Sequence, residues 1–379
     1  MKKILLSVAS TLLSFGCLTA YAGPDRADIK IMTQNQYLGA DLGPVIAASP
    51  AQYPFAIINA LQSIAINNIP ERIASLAESI ADRQPHLVAL QEVYAFQCTE
   101  VSPGACAYFD GAFNDHLALT EAALSNLGSD YNVVAVLQNL TIPVLPVFLP
   151  GITGPAMIVS VIDRDVILAR ADVDASPAII PCARPGPGGI GCQYQAVATV
   201  TTPLGEITVE RGFVGAHAAV DGENYLFVNT HLEVRMLGSN VESTVLQPLQ
   251  ASELNATLGA YIAHSPEPSR VILAGDFNSG PASVPLPPFF IPPAYQQLSF
   301  AFTDTWTLRP GNADGFTCCE AADLLNAPSS NDERTDIVFS LPAPAKVKAN
   351  VMDAELTDKT ISGLWPSDHA SVIAELTYD

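Results

Sequence analysis

Six short runs of acid, amide and imidazole side chains punctuate the chain from one end to the other: Gln34-Asn35, Gln91-Glu92, Asn229 to Glu233, Gly275 to Asn278, Arg334 to Asp336 and Ser367-Asp368-His369. Most of them close an apolar stretch of strand-like composition, so burying the stretch leaves its polar terminus at a sheet edge. The chain has 379 residues, more than an average domain. Because the runs are scattered through all of it, residues 23–379 are expected to form a single domain with long loops rather than two domains. No repeat of solenoid type is present.

Strand and helix signals alternate between these runs. Ile29 to Thr33 reads as a strand. Glu71 to Gln84 places Ile73, Leu76, Ala77, Ile80 and Ala81 on one helical face before Pro85. Leu87 to Leu90 reads as a buried strand delivering Glu92, a second helix runs about Asp115 to Leu127, and Tyr131 to Leu137 follows as a strand. Tyr194 to Val200, Gly212 to Val220 and Tyr225 to Asn229 read as successive strands, and Val241 to Ala263 as a long helix. Val271 to Ala274, Ile337 to Phe339 and Ala370 to Leu376 are further strands. The pattern alone gives a mixed α/β class. Ile142 to Pro155 and Pro281 to Pro293 are proline-rich and apolar, and read as loops that either pack on the body or form an apolar rim.

The N-terminal residues have the layout of an export signal: Lys2 and Lys3, an apolar run from Ile4 to Leu13, then Ala20-Tyr21-Ala22 before Gly23. Residues 1–22 are expected to be removed, and the protein to be secreted or periplasmic. Phe15 and Gly16 precede Cys17 poorly for lipid attachment, and no stretch is long and apolar enough for a transmembrane helix. Loss of Lys2 and Lys3 leaves 15 of the 17 basic residues against 38 acidic ones, and moves the formal charge from −21 to −23. No lysine lies between Lys30 and Lys346. Avid nucleic-acid binding draws on Lys and Arg displacing counterions, and this distribution argues against it. Six cysteines remain after Cys17, an even number that favours disulfides in an exported chain. Cys98 with Cys106 and Cys182 with Cys192 suit loop staples, whereas the adjacent Cys318 and Cys319 form a vicinal bridge or leave other pairings open.

The polar runs point to one chemistry. Cleaving a phosphate ester needs a hard cation, a base for water and donors aimed at phosphoryl oxygens. Carboxylate and amide oxygens suit Mg²⁺, and a histidine paired with a carboxylate suits the base. The chain has no GxSxG elbow, no P-loop, no HExxH pair and no zinc-finger spacing of its cysteines.

In this order the six motifs resemble those of the endonuclease/exonuclease/phosphatase superfamily, over about Ile29 to Thr377. Its members include pancreatic-type deoxyribonucleases, abasic-site endonucleases, bacterial sphingomyelinases and inositol-phosphate phosphatases. The resemblance implies a four-layer sandwich of two mixed β-sheets flanked by helices. It also implies a site in which Glu92 is the main metal ligand, assisted by Asn35, with Asp368 holding the metal or its water. Mg²⁺ is the implied ion, with Mn²⁺ as a substitute. His231 and Asn278 would donate to phosphoryl oxygen, Asp276 would orient or deprotonate water, and Asp336 would fix the tautomer of His369, the favoured base. Tyr37 stands where the abasic-site branch carries an acid, with Asp41 further on, which weakens a two-metal or DNA-repair reading. His217 reads as structural, and His86, His116 and His264 as surface or helix-end residues.

The implied activity is a phosphodiesterase or phosphoesterase acting on a lipid headgroup, as sphingomyelinases do, with peripheral membrane contact through the apolar loops. A secreted nuclease is the first alternative, and a catalytically silent binding module on the same scaffold the second. Convergence of Arg164, Arg211 and Arg235 on the site would favour the nuclease. Exposure of Phe148, Leu149, Phe289 and Phe290 beside it would favour the lipid enzyme.

Overall fold

A computed structural model of the chain describes residues 28–235, 243–265 and 270–379. The expected signal segment and the first two residues of the expected helix at Val241 lie outside them. Numbered in chain order, the first sheet takes β1 (Ile29–Asn35), β2 (Leu87–Gln91), β3 (Ala95–Glu100), β4 (Tyr131–Val147), β5 (Met157–Arg170), β15 (Lys346–Met352) and β16 (Ser371–Thr377). Their order is β15-β16-β1-β2-β5-β3, with β4 also on β5. The second sheet takes β6 (Asp174–Ala178), β7 (Cys192–Gln193), β10 (Gly212–Val220), β11 (Glu223–His231), β12 (Arg270–Asp276), β13 (Thr303–Asp304) and β14 (Asp336–Leu341). Here the order is β13-β14-β12-β11-β10-β6, with β7 on β10. A separate hairpin, β8 (Ala198–Thr202) and β9 (Gly205–Val209), pairs with neither sheet.

Each sheet is antiparallel except for one parallel pair at its middle, β1 with β2 and β11 with β12. Alternation along the strands explains the layers. Ile29 and Ile31 of β1, Leu87 and Ala89 of β2, Phe227 of β11 and Ile272 and Ala274 of β12 share one core between the sheets. The other face of the first sheet, through Met32, Val88 and Leu90, packs on Ala77, Ile80 and Leu124. The other face of the second, through Leu226, Val228 and Leu273, packs on Leu254 and Leu258. The outer layers are α1 (Gly43–Ile46), α2 (Tyr53–Ile66), α3 (Ile69–Arg83) and α4 (His116–Asn126) on one side, and α5 (Ser243–His264) and α6 (Ala294–Leu298) on the other. The chain is thus the four-layer α/β sandwich expected.

The helix ends follow local rules. α3 stops where Gln84 turns left-handed ahead of Pro85 and donates to the Ile80 carbonyl, and α4 starts where the Asp115 carboxylate accepts from Leu117 and Ala118 N–H. Two pairings expected from spacing are present, Cys98–Cys106 and Cys182–Cys192, with Cα atoms 6.0 and 6.1 Å apart. Cys318 is bonded to Cys319.

Several expectations need correction. Ile142 to Val147 is not loop but the end of β4, paired through three register shifts to β5, which lets a strand carrying Pro143 and Pro146 stay in the sheet. Tyr194 to Val200 is broken: Tyr194 packs in the core, and only Ala198 onward is strand, in the separate hairpin. His86 and His116 are buried. His116 sits at a helix end as expected, but beneath the Tyr94 ring.

Candidate active site

The two parallel pairs put four strand termini together. In the first sheet Asn35 is level with Gln91, so Glu92 leaves β2 beside it. In the second, His231 is level with Asp276, and Asp276 with Asp336 on the antiparallel neighbour, which sets three site residues in a row across β11, β12 and β14. A cross-sheet clamp locks the two groups together. The Asn229 amide donates to the Leu90 and Val166 carbonyls at 2.9 Å each and accepts from Gln91 Nε2 at 2.7 Å. Glu92 and Asn278 both leave their strands with positive φ, 54° and 47°. A turn, not continued strand, carries Asn278 to the site. Its N–H bonds back to Asp276 Oδ1 at 2.9 Å and the chain turns there.

The result is one connected cluster. Asn35 Nδ2 lies 3.1 Å from Asp276 Oδ2 and 3.3 Å from Glu92 Oε1. Asp276 Oδ2 is 3.5 Å from His231 Nε2 and 3.7 Å from His369 Nε2. His369 Nδ1 is 2.8 Å from Asp336 Oδ2. Asn278 Nδ2 is 3.2 Å from His231 Nε2 and donates to the Leu232 carbonyl. Asp368 adjoins His369, and burial together with the nearby Glu92 and Asp276 charges raises its carboxyl. All eight residues named from the sequence, Asn35, Glu92, His231, Asp276, Asn278, Asp336, Asp368 and His369, are gathered there.

Their surroundings shift the two histidines in opposite directions. His231 is pushed well below its usual value by burial, with the Arg211 and His369 charges adding. Arg211 Nη1 donates to its Nδ1 at 2.8 Å, leaving the N–H on Nε2 toward Asp276. For His369 burial acts downward, but Asp336 and Asp276 outweigh it and hold the ring well above its usual value. Burial raises Asp276 to about 6, with Asp336 adding against the His369 charge. Burial likewise raises Asp368 to about 7, with Glu92 adding.

Four carboxylates, those of Glu92, Asp276, Asp336 and Asp368, thus share one largely buried site, and Asp336 Oδ1 is buried without a partner. Donor atoms of Asp276, Asp336 and His369 lie within 4.8 Å of one another. Oxygen-rich and short of positive charge, this set fits a hard divalent cation. Asn35 fits less directly. Its amide nitrogen faces Glu92 and Asp276, and its oxygen accepts the Tyr37 N–H at 2.9 Å, so as placed it ties the carboxylates together.

Residues that the motifs do not reveal position the cluster. Arg72, fully buried in α3, donates to the carbonyls of Gln36, Tyr37, Asn67 and Pro366, tying the loop after β1 to the loop before His369. Ser367 Oγ donates to the Asn35 carbonyl at 2.7 Å. Helical periodicity marks Ile73 and Leu76 but says nothing of a buried arginine on the same face.

Of the three arginines singled out, Arg211 reaches the site, held by Asp163 at 3.4 Å as well as His231. Arg164 is taken by Asp115 and the Val93 carbonyl. Arg235 lines a cavity of about 760 Å³ that opens beside Asn278 and is bordered by Pro281, Val284 and Phe316. The loop from Pro281 therefore starts on the rim, and its Phe289 and Phe290 are exposed. Of the other apolar segment, Leu149 is buried and Phe148 is 38 % exposed. His217 lies elsewhere, bonded to the Tyr261 hydroxyl of α5 at 2.9 Å.

No protein-family model matches the chain, and no curated protein matches it. Among solved structures it is similar to truncated TDP2 of Caenorhabditis elegans, at 16 % identity over 91 % of this chain and 96 % of that one, with a TM-score of 0.46. It is also similar to an endonuclease/exonuclease/phosphatase of Beutenbergia cavernae, at 20 % identity over 93 % and 72 %, with a TM-score of 0.48. A third is the mannosyl-6-phosphatase of Bacteroides thetaiotaomicron, at 15 % identity over 92 % and 100 %, with a TM-score of 0.47. Likeness at this level says nothing of substrate.

Proposed function

We propose that the chain is a member of the endonuclease/exonuclease/phosphatase superfamily and an exported hydrolase of phosphoester bonds dependent on a divalent cation. The observation that carries this is the meeting of Glu92, Asp276, His231 and the Asp336–His369 pair, from the ends of both sheets, in one site. Glu92 and Asp368 would hold Mg²⁺, or Mn²⁺ in its place, with Asn35 beside them. When bound, the ion would supply positive charge to the phosphoryl oxygens.

The side chains divide the remaining work. A water between Asp276 Oδ2 and His369 Nε2 attacks phosphorus as the bond to the leaving oxygen breaks. With His369 neutral at the outset, the proton passes to this pair and rests on the ring, whose imidazolium the neighbouring carboxylates favour. Neutral His231, Nε2–H inward, and the Asn278 amide donate to oxygens whose charge grows in the transition state. The proton held on the pair then neutralises the leaving oxygen.

For the substrate we favour a phosphodiester at a lipid headgroup. Supporting this are the acidic chain, the lysine-free span and the exposed Phe289 and Phe290 on the loop that rims the cleft. A nuclease remains the alternative, favoured by Arg235 on the cleft wall. Export is supported by the disulfides. Among the described residues no helix is long and apolar enough to cross a membrane. The test is hydrolysis of sphingomyelin, phospholipid, inositol phosphate, DNA and RNA with Mg²⁺ and with chelator. Activity on a lipid phosphodiester that disappears in chelator is expected. Full activity in chelator would remove the metal from the reading.

A further inference from the structure

A second cavity is lined by Leu38 and Tyr94, which flank Asn35 and Glu92 in the chain. It has a volume of about 130 Å³ and lies between α1, α2, the β4–β5 ribbon and the β8–β9 hairpin. Its walls are almost wholly hydrocarbon, including Leu38, Ile57, Leu61, Tyr94, Leu145 and Val161. Apolar cavities of roughly this size stay dry and accept apolar guests, because a water inside would find no partners. The hairpin that roofs it alternates strictly: Val200, Ile207 and Val209 line the cavity, while Thr199, Thr201, Glu206 and Thr208 face solvent. Since that hairpin pairs with neither sheet, its apolar face has this cavity to cover.

Part of the cavity wall is built by the same two chain segments that supply Asn35 and Glu92. Leu38 N–H donates to Glu92 Oε2 at 3.0 Å, and Tyr94, two residues beyond Glu92, donates its N–H to the Glu92 carbonyl while its ring stacks on Phe96. Through Leu38, a wall of the cavity is bonded directly to the Glu92 carboxylate. The polar cavity bordered by Arg235 and Asn278 is left for the other substituent of the same phosphate.

We propose that the apolar cavity between α2, the β4–β5 ribbon and the β8–β9 hairpin binds the aliphatic chain of the phosphoester substrate and so selects an alkyl phosphodiester. This rests on the phosphoesterase reading above. The site takes one extended hydrocarbon chain; the hairpin closes over it, and chain length sets the preference among phosphodiesters that share a headgroup.

Methyl and octyl p-nitrophenyl phosphate, both releasing p-nitrophenol, measure the preference with Mg²⁺ present. Calorimetry with 1-octanol measures binding apart from turnover. The octyl ester is expected to show kcat/KM at least about tenfold above the methyl ester, since each buried methylene adds favourably. Ala60→Phe, which fills the cavity from α2, and Ile207→Glu, which places a charge in its roof, should abolish octanol binding. Both should bring the two esters within about twofold of each other and leave the methyl ester unchanged. Ala60 and Ile207 are partly exposed, so both variants are expected to keep the wild-type circular dichroism. Equal turnover of the two esters by the wild type, without octanol binding, overturns the proposal and leaves the phosphoesterase reading standing. Octanol binding with no hydrolysis of either ester overturns that reading and the substrate assignment with it.

Discussion

At the scale of single residues the site turns on how carboxylates and rings share protons. Glu92 is the acid on which the cation assignment hangs, so Glu92→Gln should lower turnover by about 10²-fold or more and raise the Mg²⁺ concentration needed for half-activity. A titration curve superimposing on that of the wild type would remove Glu92 from the metal site. Asp336 acts through His369, which it holds at 2.8 Å. Asp336→Asn removes the largest upward influence on that ring. The sign follows: a base held above its usual value is protonated over more of the pH range, so the acid limb of kcat should move to lower pH in the variant. The rate at the plateau should drop by about 10²-fold. An unmoved limb would leave Asp336 a merely structural partner.

At the scale of elements, the loops around the sheet ends matter more than the sheets. Arg72 of α3 joins four carbonyls of three loops, and removing its guanidinium strands those acceptors in the interior. Arg72→Met should therefore cost on the order of 3 kcal/mol of stability and lower activity in parallel, read by thermal melts and kcat. A variant that melts normally would show the loops to be held otherwise. The Pro281 loop offers the complementary case, because its aromatics are exposed instead of buried. Replacing Phe289 and Phe290 with serine should reduce hydrolysis of vesicle-borne lipid and spare a soluble phosphodiester. Equal loss on both would shift preference to the nuclease.

At the scale of the whole molecule, buried titratable groups set the pH response of stability. Burial lowers His116 to about 3, with the Arg72 and Arg164 charges adding. The unfolded chain binds a proton near pH 6.5 that the folded chain refuses, so this residue withdraws stability as pH falls below 6.5, by about 2 kcal/mol at pH 5. Asp353 acts the other way. Burial raises it to about 6, and its destabilising effect fades as pH falls from 6 towards 4. The two partly cancel, so the His116 contribution is isolated by a variant. His116→Leu should gain on the wild type in melting temperature between pH 7 and pH 5. A constant difference would mean that the buried ring is protonated in the fold.

Much of this was already set in the sequence. Apolar runs located β1, β2, β10, β12 and β16, because those strands are buried on both faces, and a 3.6-residue period located α3, because that helix buries one. The motif series named the eight residues that the fold brings together, because each sits at the end of an apolar run or just before one. Local reasoning failed where long-range pairing overrode composition. Pro143 and Pro146 are tolerated because β4 lies on β5 through register shifts, and Tyr194 leaves the strand pattern for the core. The buried guanidinium of Arg72, the amide clamp at Asn229, the turn that carries Asn278 and the apolar cavity beside Glu92 were decided by the tertiary structure alone. Each depends on groups far apart in the chain that meet only once the two sheets have packed.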